Sequence, residues 1–346
     1  MEESAGITIG ERRAGAIYGA FVADALAMPV HWYYDRSALY RDYGWVSDFV
    51  APQPDHPDSI MHRSHFDPLN ERAQILHESA PLWGQAKVHY HRGLEAGENT
   101  LNLQLARLLL RLLRERGTYN ANEYLERYRD FMLTSGCHRD VYLEECHRSF
   151  FTNFARGRKL RRCGVIDNHI GGLSSVGVLV AGLDFDLPRT RGIVREHVGL
   201  THQDSRLLLA ADVMAVILWR VVHGEGLREA IQSVGNDFFS AKKSRRYLGR
   251  GDGDIIEREF GQACYIDRAF PASLYLAWKY AEDFSAGLVP NTNAGGDNCH
   301  RGAVIGALLG AANGAQAIPG KWASGLKVWP DLNALVEVGS DSSVTG

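Results

Sequence analysis

The sequence predicts an all-α protein, a single compact multi-helix domain, and three observations carry that prediction. Apolar residues recur at three- and four-residue spacing in several long segments, while strict alternation bounded by hairpin signals is absent. Two of those segments carry Gly or Ala at every fourth position. No linker long enough to separate two domains and no repeat of about 20–50 residues interrupts the chain. A chain of 346 residues can bury one large core. Residues 1–11 read as a flexible N-terminus, 12–336 as the helical domain and 337–346 as a flexible C-terminal tail.

Taken in order, Gly10 to Tyr34 is a long apolar helix rich in small residues, with Gly15, Gly19, Ala23 and Ala27 on one face. Ala51 to Asp67 holds three prolines, His56, His62 and His65 and few apolar residues, which predicts a surface loop or flap. Thr100 to Leu113 places Leu101, Leu105, Leu108, Leu109 and Leu112 at helical spacing, capped by Asn99 or Thr100 and ended by Gly117. Ser135 to Arg162 mixes aromatic and charged residues and is a further helical candidate. Asp204 or Ser205 caps a run to Val222, closed by Gly224, and Phe270 to Phe284 reads as another helix. Gly249 to Asp254 is a flexible turn. The last strong helix, His300 to Gly314, repeats Gly302, Gly306, Gly310 and Gly314.

That repeat has to be offset by packing. Each interior glycine costs a helix about 1 kcal/mol relative to alanine, so close approach by a second smooth helix, the first one, is the natural compensation. The chain has 36 glycines where average composition gives about 24, and the stripe with the Gly295-Gly296 turn accounts for part of the surplus. Each smooth helix carries a polar cluster at one end, Asp24 to Tyr34 on the first and Gly295 to His300 on the last.

Charge and composition narrow the function classes. Lys+Arg is 38 against 41 Asp+Glu, a net of −3, so no basic excess marks a nucleic-acid partner. The basic clusters Arg156–Arg162 and Lys242–Arg246 are short and read as solvated surface. No run of 18 apolar residues predicts a membrane span, and the acidic start of the chain lacks the features of a signal peptide. Five scattered cysteines without a CxxC pair fit a reducing compartment, so the expected location is cytoplasmic.

Two segments carry a family resemblance. Gly15-Ala-Ile-Tyr-Gly-Ala-Phe-Val-Ala-Asp-Ala-Leu-Ala-Met-Pro-Val30 resembles the opening helix of the ADP-ribosylglycohydrolase family, GxxxGxxxGDALGxPxE. Asn293-Ala-Gly-Gly-Asp-Asn-Cys-His-Arg-Gly-Ala-Val-Ile-Gly-Ala-Leu-Leu-Gly-Ala311, followed by Ile318-Pro-Gly-Lys-Trp322, resembles GGDTDTxAAxxGALxGAxxG and IPxxW. Thr201-His202 and Phe270-Pro-Ala-Ser-Leu-Tyr-Leu276 also fit, so the likeness spans roughly Arg12 to Val336. Ala23 to Asp35 looks closest to a divergent branch that includes jellyfish J-crystallins and fish selenoprotein J.

The resemblance implies a helical fold, hydrolysis of ADP-ribosyl or related glycosidic bonds, and an ADP-ribosylated or small-molecule substrate. It also implies two Mg²⁺ ions held by carboxylates of a TDD and a GDTD motif. Magnesium asks for octahedral oxygen ligands, and this sequence departs from that pattern. The TDD position falls on Gly97-Glu98-Asn99-Thr100. Asp297 is kept, but Cys299 and His300 replace the next Asp and Thr, and His31 replaces a glutamate after the first helix. Glu98, Asn99 and Asp297 are the remaining metal-ligand candidates.

His31, Glu98, Asp297, Cys299 and His300 are the candidate catalytic residues. Cys299 at a helix N-terminus has a dipole-lowered thiol pKa, and with His31 it would make a thiolate–imidazole pair. Cys299, His31, His300 and Asp297 equally suit a transition metal, or Cys299 fills the space of a lost ligand. Asn99, Asn168, Gly171, Gly172, Ser174, His202 and Asn298 are the ligand-binding candidates, the middle group lying near the family's glycine loop. Trp32, Tyr33 and Tyr34 read as a stacking platform or as packing. His56, His62, His65, His77, His89 and His91 lack HExxH spacing and read as loop histidines. A catalytically inactive relative, structural or ligand-binding, is the alternative to a hydrolase.

Overall fold

In the computed structural model, which describes residues 6–341, helices dominate and the only β pairing among the described residues is three isolated bridges. The helices that position the site are α1 (Ile9–Ala27), α2 (Leu101–Arg116), α3 (Glu145–Ala155), α4 (Leu187–Gly199), α5 (Ser205–Val222), α6 (Ile266–Lys279), α7 (Phe284–Asn293) and α8 (Asn298–Asn313). A closing helix, α9, spans Trp329–Asp341. One continuous apolar core runs through α1, α2, α5, α6 and α8.

The crossing of α1 and α8 organises the fold. A Cβ built on Gly15 or Gly19 would fall within 3.0 Å of the carbonyl oxygens of Gly310 and Gly306, and the reverse holds for Gly306 and Gly310. The pairs 15–310 and 19–306 run in opposite directions, so the helices are antiparallel with backbones in contact. Glycine's missing side chain is what that approach requires. The geometry brings the C-terminal end of α1 to the N-terminal end of α8, which is where the polar clusters sit.

Local chemistry sets the helix ends and corrects several expected boundaries. Thr8 and Glu11 form a capping box, so α1 starts at Ile9 and residues 9–11 are helical rather than flexible. The helix stops at Ala27, not Tyr34. Met28–Val30 form a 3₁₀ turn containing Pro29, and Trp32 has a φ of +63°. Thr100 is the N-cap of α2 and Gly117 its left-handed C-cap. Asp204 caps α5 by accepting from the Arg206 and Leu207 amides. Within 135–162 the α-helix is only Glu145–Ala155, and the segment around 270–284 divides into α6 and α7. Residues 337–341 continue α9, which corrects the tail expected from 337. Residues 1–5 and 342–346 of the two expected tails lie outside the described residues.

Candidate functional site

Four stretches of irregular backbone meet where α1 ends and α8 begins. Gly295 and Gly296 both have φ near +60°, and their turn is paired with the chain after α1. The Trp32 amide donates to Gly296 O (2.7 Å) and the Gly296 amide to Tyr33 O (2.6 Å). The Asp297 amide donates to Gln262 O (3.0 Å), which draws in residues 262–266. That segment is in turn zipped to 168–170, through Ile170 N–H to Cys264 O (2.9 Å) and Ile266 N–H to Asn168 O (2.9 Å). Glu144 enters from the residue before α3, and Asn102 from α2.

The side chains form one connected polar cluster. His91 Nδ1 lies 2.7 Å from Asp140 Oδ1, and His91 Nε2 is 2.7 Å from His31 Nδ1. His31 Nε2 is 3.0 Å from Asp297 Oδ1, which also takes His300 Nδ1 at 2.5 Å. His300 Nε2 is 3.0 Å from Glu144 Oε1, and His169 Nδ1 is 3.2 Å from Glu144 Oε2. Asn102 Nδ2 braces this end by donating to Glu144 Oε1 (2.6 Å).

Proton counting gives the charge of the cluster. The contacts Asp140–His91, His91–His31 and His31–Asp297 need three hydrogens, and two neutral imidazoles bring two, so this stretch holds one extra proton. Burial pushes His31 well below the usual imidazole range and penalises a cation on that ring. Burial also opposes charge on His300, but the carboxylates of Asp297 and Glu144 override it and hold His300 well above its usual range. Asp297 and Glu144 are driven in the opposite direction: burial would raise them, and the surrounding imidazoles carry both well below the carboxylate range.

His169 is poised between two states. Burial opposes its charging, and Glu144 and Asp297 more than offset it, raising the ring to about 10. Yet the Gly171 amide donates to His169 Nδ1 (2.9 Å), which requires that nitrogen unprotonated and favours the neutral ring. The neighbouring acceptors are left hungry. Glu144 Oε2 and Asp297 Oδ2 are buried without a hydrogen-bond partner among the described residues, an arrangement that costs free energy unless something fills it.

His169 and Glu144 form the floor of a cleft of about 550 Å³, a size suited to a small-molecule ligand. Trp32, Tyr90, Tyr142 and Tyr265 line its walls, Asn168 and Cys264 flank the floor, and Arg148 stands at its edge. Arg148 donates to the carbonyls of Leu143 and His65 and has no carboxylate partner among the described residues.

A scan against protein-family models matches residues 6–343 to "ADP-ribosylglycohydrolase". The chain belongs to the ADP-ribosylglycohydrolase family. Among curated proteins, Crystallin J1A of Tripedalia cystophora is 22% identical over 336 residues, covering 91% of each chain. An uncharacterized protein of Archaeoglobus fulgidus is 24% identical over 325 residues, covering 92% of each. A solved structure titled "ADP-ribosylglycohydrolase-related protein complex" shares the fold, with a TM-score of 0.62 and 23% identity over 97% of this chain and 99% of that one.

Of the sequence-predicted residues, His31, Asp297 and His300 meet as expected. Asn168 lines the cleft, and Gly171 lies beside Glu144 and His169, where a Cβ would strike Glu144 Oε2. Gly172, Ser174 and His202 instead line a separate cavity of about 40 Å³. Asn298 is structural, donating to the Val30 and Thr292 carbonyls. Glu98 is turned away into an ion pair with Arg139. Asn99 donates to Phe21 O (2.8 Å) and Asp24 Oδ2 (2.9 Å), and Thr100 Oγ1 donates to Asp24 Oδ1 (2.6 Å). Glu98 is paired with Arg139 and Asn99 donates through Nδ2, whereas Asn99 Oδ1 and Asp297 Oδ2 are buried without a hydrogen-bond partner among the described residues; the three form no common cluster, and the donors grouped with Asp297 are nitrogen and sulfur. Two magnesium ions do not fit this donor set.

Cys299 is also a correction. It is fully buried, its Sγ donates to Asp24 O (3.6 Å), and burial with the Asp24 and Asp297 carboxylates pushes the thiol well above its usual range, overriding the helix dipole. In the native protein, iodoacetamide is expected to label exposed Cys137 at a free-thiol rate and leave Cys299 unlabelled over the same interval. Peptide mapping that finds equal labelling would contradict this placement.

Sequence reasoning missed Glu144, His169, Cys264, Asn102 and the His91–Asp140 pair. His169 lies between Asn168 and Gly171, both singled out, so its neighbours were the available signal. His56, His89 and His91, expected on a surface loop, are buried.

Proposed function

We propose that the cleft binds an ADP-ribose-like ligand and that Glu144 and Asp297 promote hydrolysis of its glycosidic bond without magnesium. The observation that carries this reading is the pair of unpartnered carboxylate oxygens flanking His169, Glu144 Oε2 on a residue that lines the cleft and Asp297 Oδ2 buried behind it. Glycosidic cleavage builds positive charge at the anomeric carbon, and fixed carboxylates in a low-dielectric site stabilise such charge without reorganising. Glu144, the one of the two that lines the cleft, is the assigned general base for water. The aromatic walls supply faces for a base to stack on, and Arg148 supplies a fork for a diphosphate.

Release of ADP-ribose from an ADP-ribosylated peptide or from a small glycosidic analogue tests the reading. Glu144→Gln is expected to lower kcat by about 10²- to 10⁴-fold while ADP-ribose still binds. Added Mg²⁺ should leave both the rate and the melting temperature unchanged. Equal rates in wild type and Glu144→Gln would overturn the assignment. The similarity to Crystallin J1A supports a second reading, in which the cleft binds without turnover. Calorimetric binding of ADP-ribose with no hydrolysis would select it.

A further inference from the structure

The cleft floor contains a second arrangement that glycosidic chemistry does not require. His169, Cys264 and Asp297 each place one ligand-type atom within 4.8 Å of the others. We propose that these three residues bind one divalent transition-metal ion of the zinc class, with the fourth coordination position open to the cleft.

Geometry is the first support. His169 Nε2 and Asp297 Oδ2 are 3.5 Å apart, too far for a good hydrogen bond. That distance is close to the edge of a tetrahedral zinc site, where ligands about 2.0–2.1 Å from the metal lie roughly 3.3–3.4 Å from each other. Asp297 Oδ1 is already committed to His31 and His300, which fixes the carboxylate and leaves Oδ2 turned toward His169. Oδ2 itself is buried and has no hydrogen-bond partner among the described residues.

The backbone holds the three residues side by side. His169 and Tyr265 form an antiparallel bridge, the Ile170 amide donates to Cys264 O, and the Asp297 amide donates to Gln262 O. The donors therefore come from three segments already tied together, and only the half-buried Cys264 side chain has to adjust.

The surroundings match what a metal-bound histidine needs. With Nε2 on the metal, Nδ1 becomes a donor, and Glu144 Oε2 stands 3.2 Å away as an unpartnered acceptor. Gly171 then loses its acceptor on the ring. One thiolate, one imidazole and one carboxylate suit zinc or cobalt and not magnesium. Three protein ligands with an open position are the pattern of catalytic rather than structural zinc sites. A second cluster, His31, His91 and Cys299, also groups such donors, but its members are buried and its ring nitrogens are committed to each other and to Asp297 and Asp140.

This proposal draws on the same Glu144 and Asp297 oxygens as the hydrolase reading, and the two are distinguished because metal binding is read without turnover. Metal-stripped, reduced full-length protein is titrated with Co²⁺ and followed by absorption. One Co²⁺ per chain is expected, with visible bands of tetrahedral intensity and a near-ultraviolet sulfur-to-cobalt charge-transfer band, both displaced by Zn²⁺. Cys264→Ser should remove the charge-transfer band, and Cys137→Ser should keep it. Glu144→Gln should weaken binding by roughly 10- to 100-fold. His169→Gln, checked for an unchanged melting temperature, should abolish stoichiometric binding. Absence of saturable Co²⁺ binding, or a charge-transfer band that survives Cys264→Ser, would overturn the proposal. Loss of hydrolysis with the band intact would instead count against the hydrolase reading.

Discussion

Gly310→Ala is expected to destabilise the protein by more than about 4 kcal/mol, in the range reserved for severe core disruption. Alanine improves intrinsic helix propensity by about 1 kcal/mol, so an isolated helix would gain from the change. Here the new methyl would fall within 3.0 Å of Gly15 O and C, which are backbone atoms of α1 and have no rotamer to escape into. The helices must separate, and every small-residue contact along the crossing loosens with them. Gly192, inside α4, is the internal control: nothing lies within 4 Å of a Cβ built there. Gly192→Ala should therefore stabilise by about 0.5–1 kcal/mol. Chemical denaturation of the two variants checks the contrast, and a Gly310→Ala protein as stable as wild type would show that the crossing is not closed by glycine.

Acidification is the second large effect. Burial pushes His56 and His147 down to about 4 and His197 down to about 3. Each is neutral when folded and takes up a proton near pH 6.5 when unfolded, so each stabilises fully above about pH 6.5 and loses that contribution as pH falls toward its folded value. Between pH 7 and pH 5 the loss is about 2 kcal/mol for each ring. One group of opposite sign limits the total. His300, raised by its carboxylates, contributes fully below about pH 6.5 and gains slightly on the same change, by less than about 1 kcal/mol. Asp297 and Glu144, held down, lose their contribution only below about pH 4. For these four rings the net is a loss of about 4–6 kcal/mol, comparable to the whole stability of many domains, and His31 and His89, both held well below the usual imidazole range by burial, lose stability in the same direction. Differential scanning fluorimetry should show a melting temperature at pH 5 at least about 5 °C below that at pH 7. A flat profile over that interval would contradict the burial of these histidines as neutral rings.

The fold was readable because its determinants are periodic. Gly302, Gly306 and Gly310 opposite Gly15 and Gly19 announce a close crossing, and leucine spacing in α2 announces a buried face. His31, Asp297 and His300 were readable for the same reason, since the crossing brings the ends of α1 and α8 together. What escaped comes from irregular backbone. His169, Cys264 and Glu144 lie more than a hundred residues apart at the extremes, and a single β bridge and a helix entry bring them together. No periodicity encodes such a junction. His91 escaped because its partners, His31 and Asp140, are remote in sequence. The magnesium expectation followed motif positions, but Glu98 pairs with Arg139 and Asn99 Nδ2 donates to Asp24, contacts that no motif records.

A crystal of the protein grown with ADP-ribose and Mg²⁺ tests the central claim most directly. The account predicts the terminal ribose over Glu144 and His169, the diphosphate toward Arg148, the base against the aromatic wall, and no magnesium between Glu98, Asn99 and Asp297. Density for magnesium bound by those three residues, or ADP-ribose bound away from the Glu144–His169 floor, would contradict it.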